Sequence, residues 1–110
     1  MVHFAFGNAT LSPTARALID EAAEAAPTSR QVAISGRTDS VGPSQVNQAL
    51  ALARAEAVRR QLRDRHPRLA PALTVQAEGA CCYAASNDTA SGRAMNRRVE
   101  VVFERDAEDL

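Results

Sequence analysis

The residues best placed for chemistry are Asp39, Asn47 and Arg54, which lie in a turn and in the long helix predicted to follow it. Apolar residues recur along this helix with a period close to 3.6 residues, and Asn47 and Arg54 share the stripe of Leu50. A surface helix normally keeps its charges on the solvent side, so an inward arginine needs a carboxylate or an anionic ligand beside it. The spacing therefore predicts a polar site at the mouth of this helix.

Asp39 is the nearest acidic candidate to Arg54 along the chain. It follows a strand predicted to end at Ser35 or Gly36, and the carboxyl end of a strand is a favoured place for a ligand. Arg54 lies roughly 15 Å of helical rise beyond the turn, so a direct ion pair requires the loop to fold back. A small zwitterion fits this gap, with its ammonium on Asp39 and its carboxylate on Arg54. A purely structural network that includes Asn47 explains the same pattern, and spacing alone leaves both readings open.

Size and composition predict a single domain over residues 1–110, large enough to bury a core without a metal or disulfide. The 13 basic residues, all arginine, balance 13 acidic ones, and aromatic residues are few, so nothing favours nucleic-acid binding. No apolar segment is long enough to span a bilayer. Cys81 and Cys82 are adjacent, and His3 and His66 are far apart, so we predict no metal site and no cofactor.

The pattern of apolar residues, caps and turns predicts the element order βαβαββ. The expected elements are a strand over 2–7, a helix over 13–26, a strand over 31–36, a helix over 43–66, a strand over 73–79, a polar loop over 80–92, and a strand over 97–105 followed by a frayed tail at 105–110. This order predicts an α/β two-layer sandwich, a four-stranded mixed sheet with the helices packed on one face. Arg97 then starts the last strand on its core side, as a second inward arginine or as a cap for carbonyl groups.

Four stretches, in the right order and spacing, resemble the OmpA C-terminal-like family, the peptidoglycan-associating module of the Gram-negative envelope. They are FGNATLSPTA, GRTDSVG, NQALALARAEAV and SNDTASGRAMNRRVEV. The resemblance covers nearly the whole chain. It implies a non-catalytic domain that binds peptidoglycan non-covalently through the diaminopimelate of the stem peptide.

Carried over residue by residue, the resemblance gives Asp39 as the acid that holds the ligand's amine and Arg54 as the base that holds its carboxylate. Asn8, Asn47 and Arg97 match flanking polar positions of the same pocket. The implied location is the periplasm. The implied role is to anchor a larger outer-membrane or envelope protein to the cell wall, with any membrane anchor outside this domain.

The chain departs from the family pattern at three places. Arg37 replaces the histidine of the G-H-T-D turn, and strand alternation predicts that it points away from the pocket. Val41 stands where a small polar residue is usual, which removes one polar contact. Cys81 and Cys82 replace a small residue and proline, and they leave open a strained vicinal disulfide, a bond to another chain that gives a homodimer, or two free thiols.

These departures motivate an alternative hypothesis, an OmpA-like fold that serves protein–protein assembly and has weakened or lost wall binding. Its contact would be the cysteine pair or the arginine-rich end of the long helix. An enzyme is the third class, and the sequence argues against it. No serine, cysteine or histidine has a base partner at usable spacing.

Overall fold

The computed structural model describes residues 1–26, 29–78 and 83–105. Its elements, in chain order, are β1 (Val2–His3), α1 (Pro13–Ala25), β2 (Ser29–Arg37), α2 (Ser44–Arg65), a 3₁₀ helix (Pro67–Ala72), β3 (Leu73–Glu78), α3 (Ala90–Asn96) and β4 (Arg98–Arg105). The predictions for Cys81, Cys82 and residues 106–110 fall outside the described residues. β4 includes Arg105, the first residue of the predicted frayed tail, and the rest of that prediction lies outside the described residues.

The four strands form one mixed sheet in the order β1-β4-β2-β3. β2 and β3 are parallel and are joined by α2, whereas β4 runs antiparallel to both of its neighbours. Since α1 and α2 cover one face, the predicted two-layer α/β sandwich is confirmed. The carboxyl end of β2 lies at the middle of the sheet, and the turn with Asp39 starts there.

α1 begins at Pro13, as the sequence predicts, whereas α2 begins at Ser44, one residue later than predicted, with Pro43 as its N-cap. The hydroxyl of Ser12 accepts a hydrogen bond from the Ala15 N–H at 3.0 Å, and Pro13 occupies the first turn of α1. α2 lies close against β2 because Gly36 has no side chain. A Cβ atom at Gly36 would overlap the carbonyl group of Ala51 in α2. This close contact sets the helix directly above the strand that delivers the site.

The core lies between the helices and the covered face of the sheet. Its buried apolar residues come from every layer: Val2, Phe4, Leu11, Ala15, Ile19, Ala23, Val32, Ile34, Ala55, Val58, Leu62, Leu69 and Val99. In β2 the buried positions alternate with more exposed ones, as period-two patterning requires. The rows of apolar residues thereby fix which side of β2 faces the helices.

Three elements differ from the sequence prediction, and the first is the 3₁₀ helix Pro67–Ala72, which no predicted element covers. β1 is only Val2–His3, and Phe6, predicted to belong to it, is 66% exposed. The carbonyl groups of Phe4 and Ala5 accept hydrogen bonds from the side chains of Arg97 and Arg54 instead of from a neighbouring strand. The strand pairing of β1 therefore ends before them. The end of the predicted polar loop and the unassigned residues 93–96 form α3, which Thr89 caps by accepting a hydrogen bond from the Gly92 N–H.

Candidate functional site

Asp39 is a buried acid in the turn after β2, with only 3% of its surface exposed. Its Oδ1 accepts a hydrogen bond from the backbone N–H of Val41 at 3.1 Å, which shapes the turn. Its Oδ2 accepts one from the guanidinium of Arg97 at 3.0 Å. Arg97 also donates through Nε to the carbonyl of Phe4 at 3.0 Å. Arg97 therefore both caps a carbonyl and faces the acid, which unites the two roles considered for it.

Arg54 is completely buried and is held by the backbone. Nε donates to the carbonyl of Asn8 at 3.0 Å, one terminal nitrogen to that of Arg37 at 3.2 Å, and the other to that of Ala5 at 3.1 Å. The guanidinium carbon also lies 5.4 Å from the ring centre of Phe4. Burial lowers the pKa of Arg54 to about 10, with Asp39 opposing and Arg97 adding to the shift. The group is still charged at neutral pH.

These contacts define the roles of Asp39 and Arg54 in the fold. Asp39 forms its ion pair with Arg97, not with Arg54. Arg54 fastens the β1–α1 loop to the end of β2, so its side chain also supports the fold. Three of its five N–H groups are engaged in these bonds.

A cavity of about 250 Å³ brings most of the predicted residues together. Its lining residues are Phe6, Gly7, Asp39, Val41, Gly42, Val46, Asn47, Leu50, Arg54 and Arg97. Gly7 and Gly42 bend the two loops at its mouth with φ of 65° and 90°, a region that favours glycine. The carboxylate and the two guanidinium groups lie at the buried end, so we call these three side chains the charged floor.

The two predicted asparagines differ in their placement. Asn47 is 6% exposed and lines the cavity from the first turn of α2, and within the described residues its side-chain amide makes no hydrogen bond. Asn8 is exposed, and its side chain accepts a hydrogen bond from the Thr10 N–H at 2.6 Å. The side chain of Asn8 is not among the groups that line the cavity. Asn8 supports the site through its carbonyl, which binds Arg54.

The departures at Arg37 and Val41 also have defined positions. The Arg37 side chain lies on the sheet face opposite the helices, with ion-pair distances of 3.5 Å to both Glu78 and Glu100. It therefore points away from the cavity, as strand alternation predicts. Val41 gives its backbone N–H to Asp39, and its side chain, 43% exposed, stands at the mouth of the cavity.

Sequence reasoning missed the apolar residues of this mouth. Phe6 was assigned to a strand and Val46 received no role, yet both line the cavity while remaining 66% and 59% exposed. Only Val41 gave a signal, as an apolar residue at a usually polar position of the family pattern. The carbonyl contacts of Arg54 left no trace in the sequence, because a carbonyl group has the same chemistry in every residue.

A second polar cluster joins α1 to the end of α2, away from the cavity. Asp20 accepts hydrogen bonds from Gln61 and pairs with His66 at 3.0 Å, and Arg65 lies 3.8 Å away. Burial would raise the pKa of Asp20, but the bonds from His66 and Gln61 and the charge of Arg65 lower it overall. The arginine-rich end of α2 is thus partly neutralised by acids, as a solvated face would be.

The chain is thus a small α/β domain whose cavity has charged side chains at its buried end and opens between two loops. The model of the OmpA family matches residues 3–97, and the chain belongs to the OmpA family. It is 36% identical over 101 residues to the outer membrane protein A of Bordetella avium, and 40% identical over 79 residues to the outer membrane porin F of Pseudomonas fluorescens. These matches cover 89% and 70% of the chain but only 51% and 23% of the relatives, so the chain spans about half of the first relative and about a quarter of the second.

Solved structures agree with this assignment. The peptidoglycan-associated lipoprotein from Burkholderia pseudomallei has a TM-score of 0.82 at 30% identity, covering 94% of this chain and 88% of that one. The cell wall anchor of the T6SS from Pseudomonas aeruginosa has a TM-score of 0.77 at 29% identity, with coverages of 94% and 76%. The C-terminal domain of Helicobacter pylori MotB has a TM-score of 0.81 at 25% identity, with coverages of 99% and 88%. These neighbours support the predicted non-catalytic module.

None of the helices in the described part of the chain is long and apolar enough to cross a membrane. Among the same residues, no group of three or more His, Cys, Asp or Glu side chains could hold a metal ion.

Proposed function

We propose that this domain binds peptidoglycan through the diaminopimelate of the stem peptide, and that it anchors a larger envelope protein to the cell wall from the periplasm. The observation that carries the proposal is the charged floor, where Asp39, Arg54 and Arg97 meet in one buried cavity. Two guanidinium groups face one carboxylate there. The floor thus has an excess positive charge, which favours a ligand that brings a carboxylate as well as an amine.

Diaminopimelate has this chemistry at the free end of its side chain, where an ammonium and a carboxylate share one carbon. The ammonium would take a place beside Asp39, which Arg97 now occupies. The carboxylate would accept from Arg97 and from the remaining N–H groups of Arg54, with the Asn47 amide as a further donor or acceptor. This exchange leaves each buried carboxylate beside at least one cation, and the ligand carboxylate is shared by the two guanidinium groups.

The size of the cavity supports recognition of the peptide and not of the sugar chain. At about 250 Å³ it is smaller than the roughly 300–1,000 Å³ typical of sites for drug-sized ligands. It suits a single amino-acid side chain, and a disaccharide would not fit inside it. The proposed ligand therefore inserts one end and leaves the wall polymer outside the domain.

The relatives supply independent support at a coarser level. Among the structural neighbours, one is named a peptidoglycan-associated lipoprotein and another a cell wall anchor, and both cover more than 90% of this chain. The curated relatives carry outer-membrane names. Anchoring of a longer envelope protein, with the membrane anchor in another part of that protein, is consistent with these names.

Co-sedimentation with purified cell-wall sacculi tests the proposal. Asp39→Asn keeps the shape of the side chain and removes the charge that would hold the ligand's amine. We expect the bound fraction to fall about 10-fold or more, since hydrogen bonds to charged groups contribute about 1.5–3 kcal/mol. The matched control is Asp64→Asn, which removes an exposed acid that lies beside Arg63 and outside the cavity.

Thermal denaturation must first show that both variants are folded. Wild-type affinity in folded Asp39→Asn would contradict the proposed site. Absence of sacculus binding by the wild-type domain would instead favour the assembly-module alternative.

A further inference from the structure

The cavity has an unusual distribution of polar and apolar groups. Its charged residues are buried: Asp39 and Arg54 are only 3% and 0% exposed, and Arg97 is largely buried. The apolar residues at its mouth are instead exposed, with values of 66% for Phe6, 43% for Val41 and 59% for Val46. Proteins normally place apolar side chains inside and charged ones outside. Single exposed apolar residues need no explanation, but three that converge on one opening mark a binding surface.

The three apolar residues come from separate elements. Phe6 is in the β1–α1 loop, Val41 in the β2–α2 loop and Val46 in the first turn of α2, and all three line the same cavity. Their convergence on one opening therefore arises from the tertiary fold and not from a local run of apolar sequence. We define Phe6, Val41 and Val46 as the apolar collar.

We propose that the apolar collar determines which stem peptides the site accepts, by packing against the methylene chain of diaminopimelate and the methyl group of the residue that follows it. This inference rests on the proposed function. A zwitterionic head on the charged floor places the aliphatic part of the same ligand at the mouth, where the collar stands. Ligands with an apolar residue next to diaminopimelate are preferred over ligands that end there.

The collar also strengthens the electrostatic attraction between the charged floor and a bound ligand. Apolar side chains around the mouth exclude water once a ligand covers them, and charge–charge attraction rises as the surrounding dielectric constant falls. Val41 has both functions in one residue, because its backbone N–H holds Asp39 and its side chain forms part of the rim. A small polar residue at this position would keep the backbone hydrogen bond and lose the apolar contact.

The test is calorimetric titration with two stem-peptide fragments, one that ends at diaminopimelate and one that is extended by alanine. For wild-type protein we expect the alanine-extended peptide to bind about fourfold more tightly, the effect of burying one methyl group. Val46→Ser and Val41→Ser should bring this ratio close to one, while both peptides still bind. Val102→Ser is the matched control, an equally exposed valine in β4 that lies outside the cavity and should keep the wild-type ratio.

The outcomes separate this inference from the function on which it rests. A ratio near one in the wild type, or an unchanged ratio in both collar variants, overturns the collar and leaves diaminopimelate binding in place. Failure of the wild-type domain to bind either peptide removes the proposed function, and the collar with it.

Discussion

Replacing Arg54 by methionine measures how far the architecture of the site depends on one buried guanidinium. The variant keeps most of the aliphatic volume and removes all three hydrogen bonds to the carbonyls of Asn8, Arg37 and Ala5. Hydrogen bonds from a charged donor contribute about 1.5–3 kcal/mol each, which gives a gross loss of about 5–9 kcal/mol. Burying the charge offsets part of this loss.

The size of that offset follows from the pKa of Arg54. The lowering of the Arg54 pKa from its ordinary value to about 10 corresponds to about 3 kcal/mol. The expected net destabilisation of Arg54→Met is therefore about 2–6 kcal/mol, a large part of the 5–15 kcal/mol that is typical of a domain.

Urea denaturation followed by circular dichroism gives the free energy of unfolding directly. The matched control is Arg60→Met, an exposed arginine two turns further along α2, for which we expect a change within about 0.5 kcal/mol. An Arg54→Met domain within 1 kcal/mol of the wild type would refute the assignment of Arg54 as the clamp between the β1–α1 loop and β2. The same reasoning makes Asp39, and not Arg54, the residue on which to test ligand binding.

Two further substitutions test the packing and the second polar cluster. Gly36→Ala puts a Cβ atom against the Ala51 carbonyl, and urea denaturation should show a loss of about 1–3 kcal/mol in the free energy of unfolding. Ser35→Ala, on the other sheet face, is the control and should have little effect. Equal stability of the two variants would contradict the close contact of β2 and α2. Asp20 has a lowered pKa in the folded state, so its stabilising effect is present above the unfolded pKa of about 3.9 and is lost as the pH falls through the lower folded value. Urea denaturation at pH 7 should give a larger free energy of unfolding for the wild type than for Asp20→Asn, and this difference should shrink at pH 3. A difference of the same size at both pH values would exclude the Asp20 carboxylate as its source.

The sequence predicts those parts of the fold that depend on local patterning. Ser12 and Pro13 specify the start of α1, and alternating apolar residues locate β2, β3 and β4. β1 was predicted too long because the alternation of Phe4 and Phe6 resembles that of a strand. The backbone there is held by Arg54 and Arg97, which lie far away in the sequence.

The candidate site was predictable in its residues but not in its connections. The inward positions of Asn47 and Arg54 follow from helical period, and the acid in the turn follows from its place after β2. The choice of Arg97 as the partner of Asp39 depends on the sheet order, which brings the start of β4 beside the end of β2. No spacing rule along the chain contains that information, and the same holds for the apolar collar.

The most direct test of the proposed function compares two ligands on the wild-type domain. Calorimetric titration with a diaminopimelate-containing stem peptide should show saturable binding. The corresponding lysine-containing peptide presents the amine without the carboxylate, and it should bind at least about 10-fold more weakly, because it leaves the guanidinium groups of Arg54 and Arg97 unmatched. Equal affinity for the two peptides, or no heat from a folded domain with either, would contradict recognition of diaminopimelate at the charged floor.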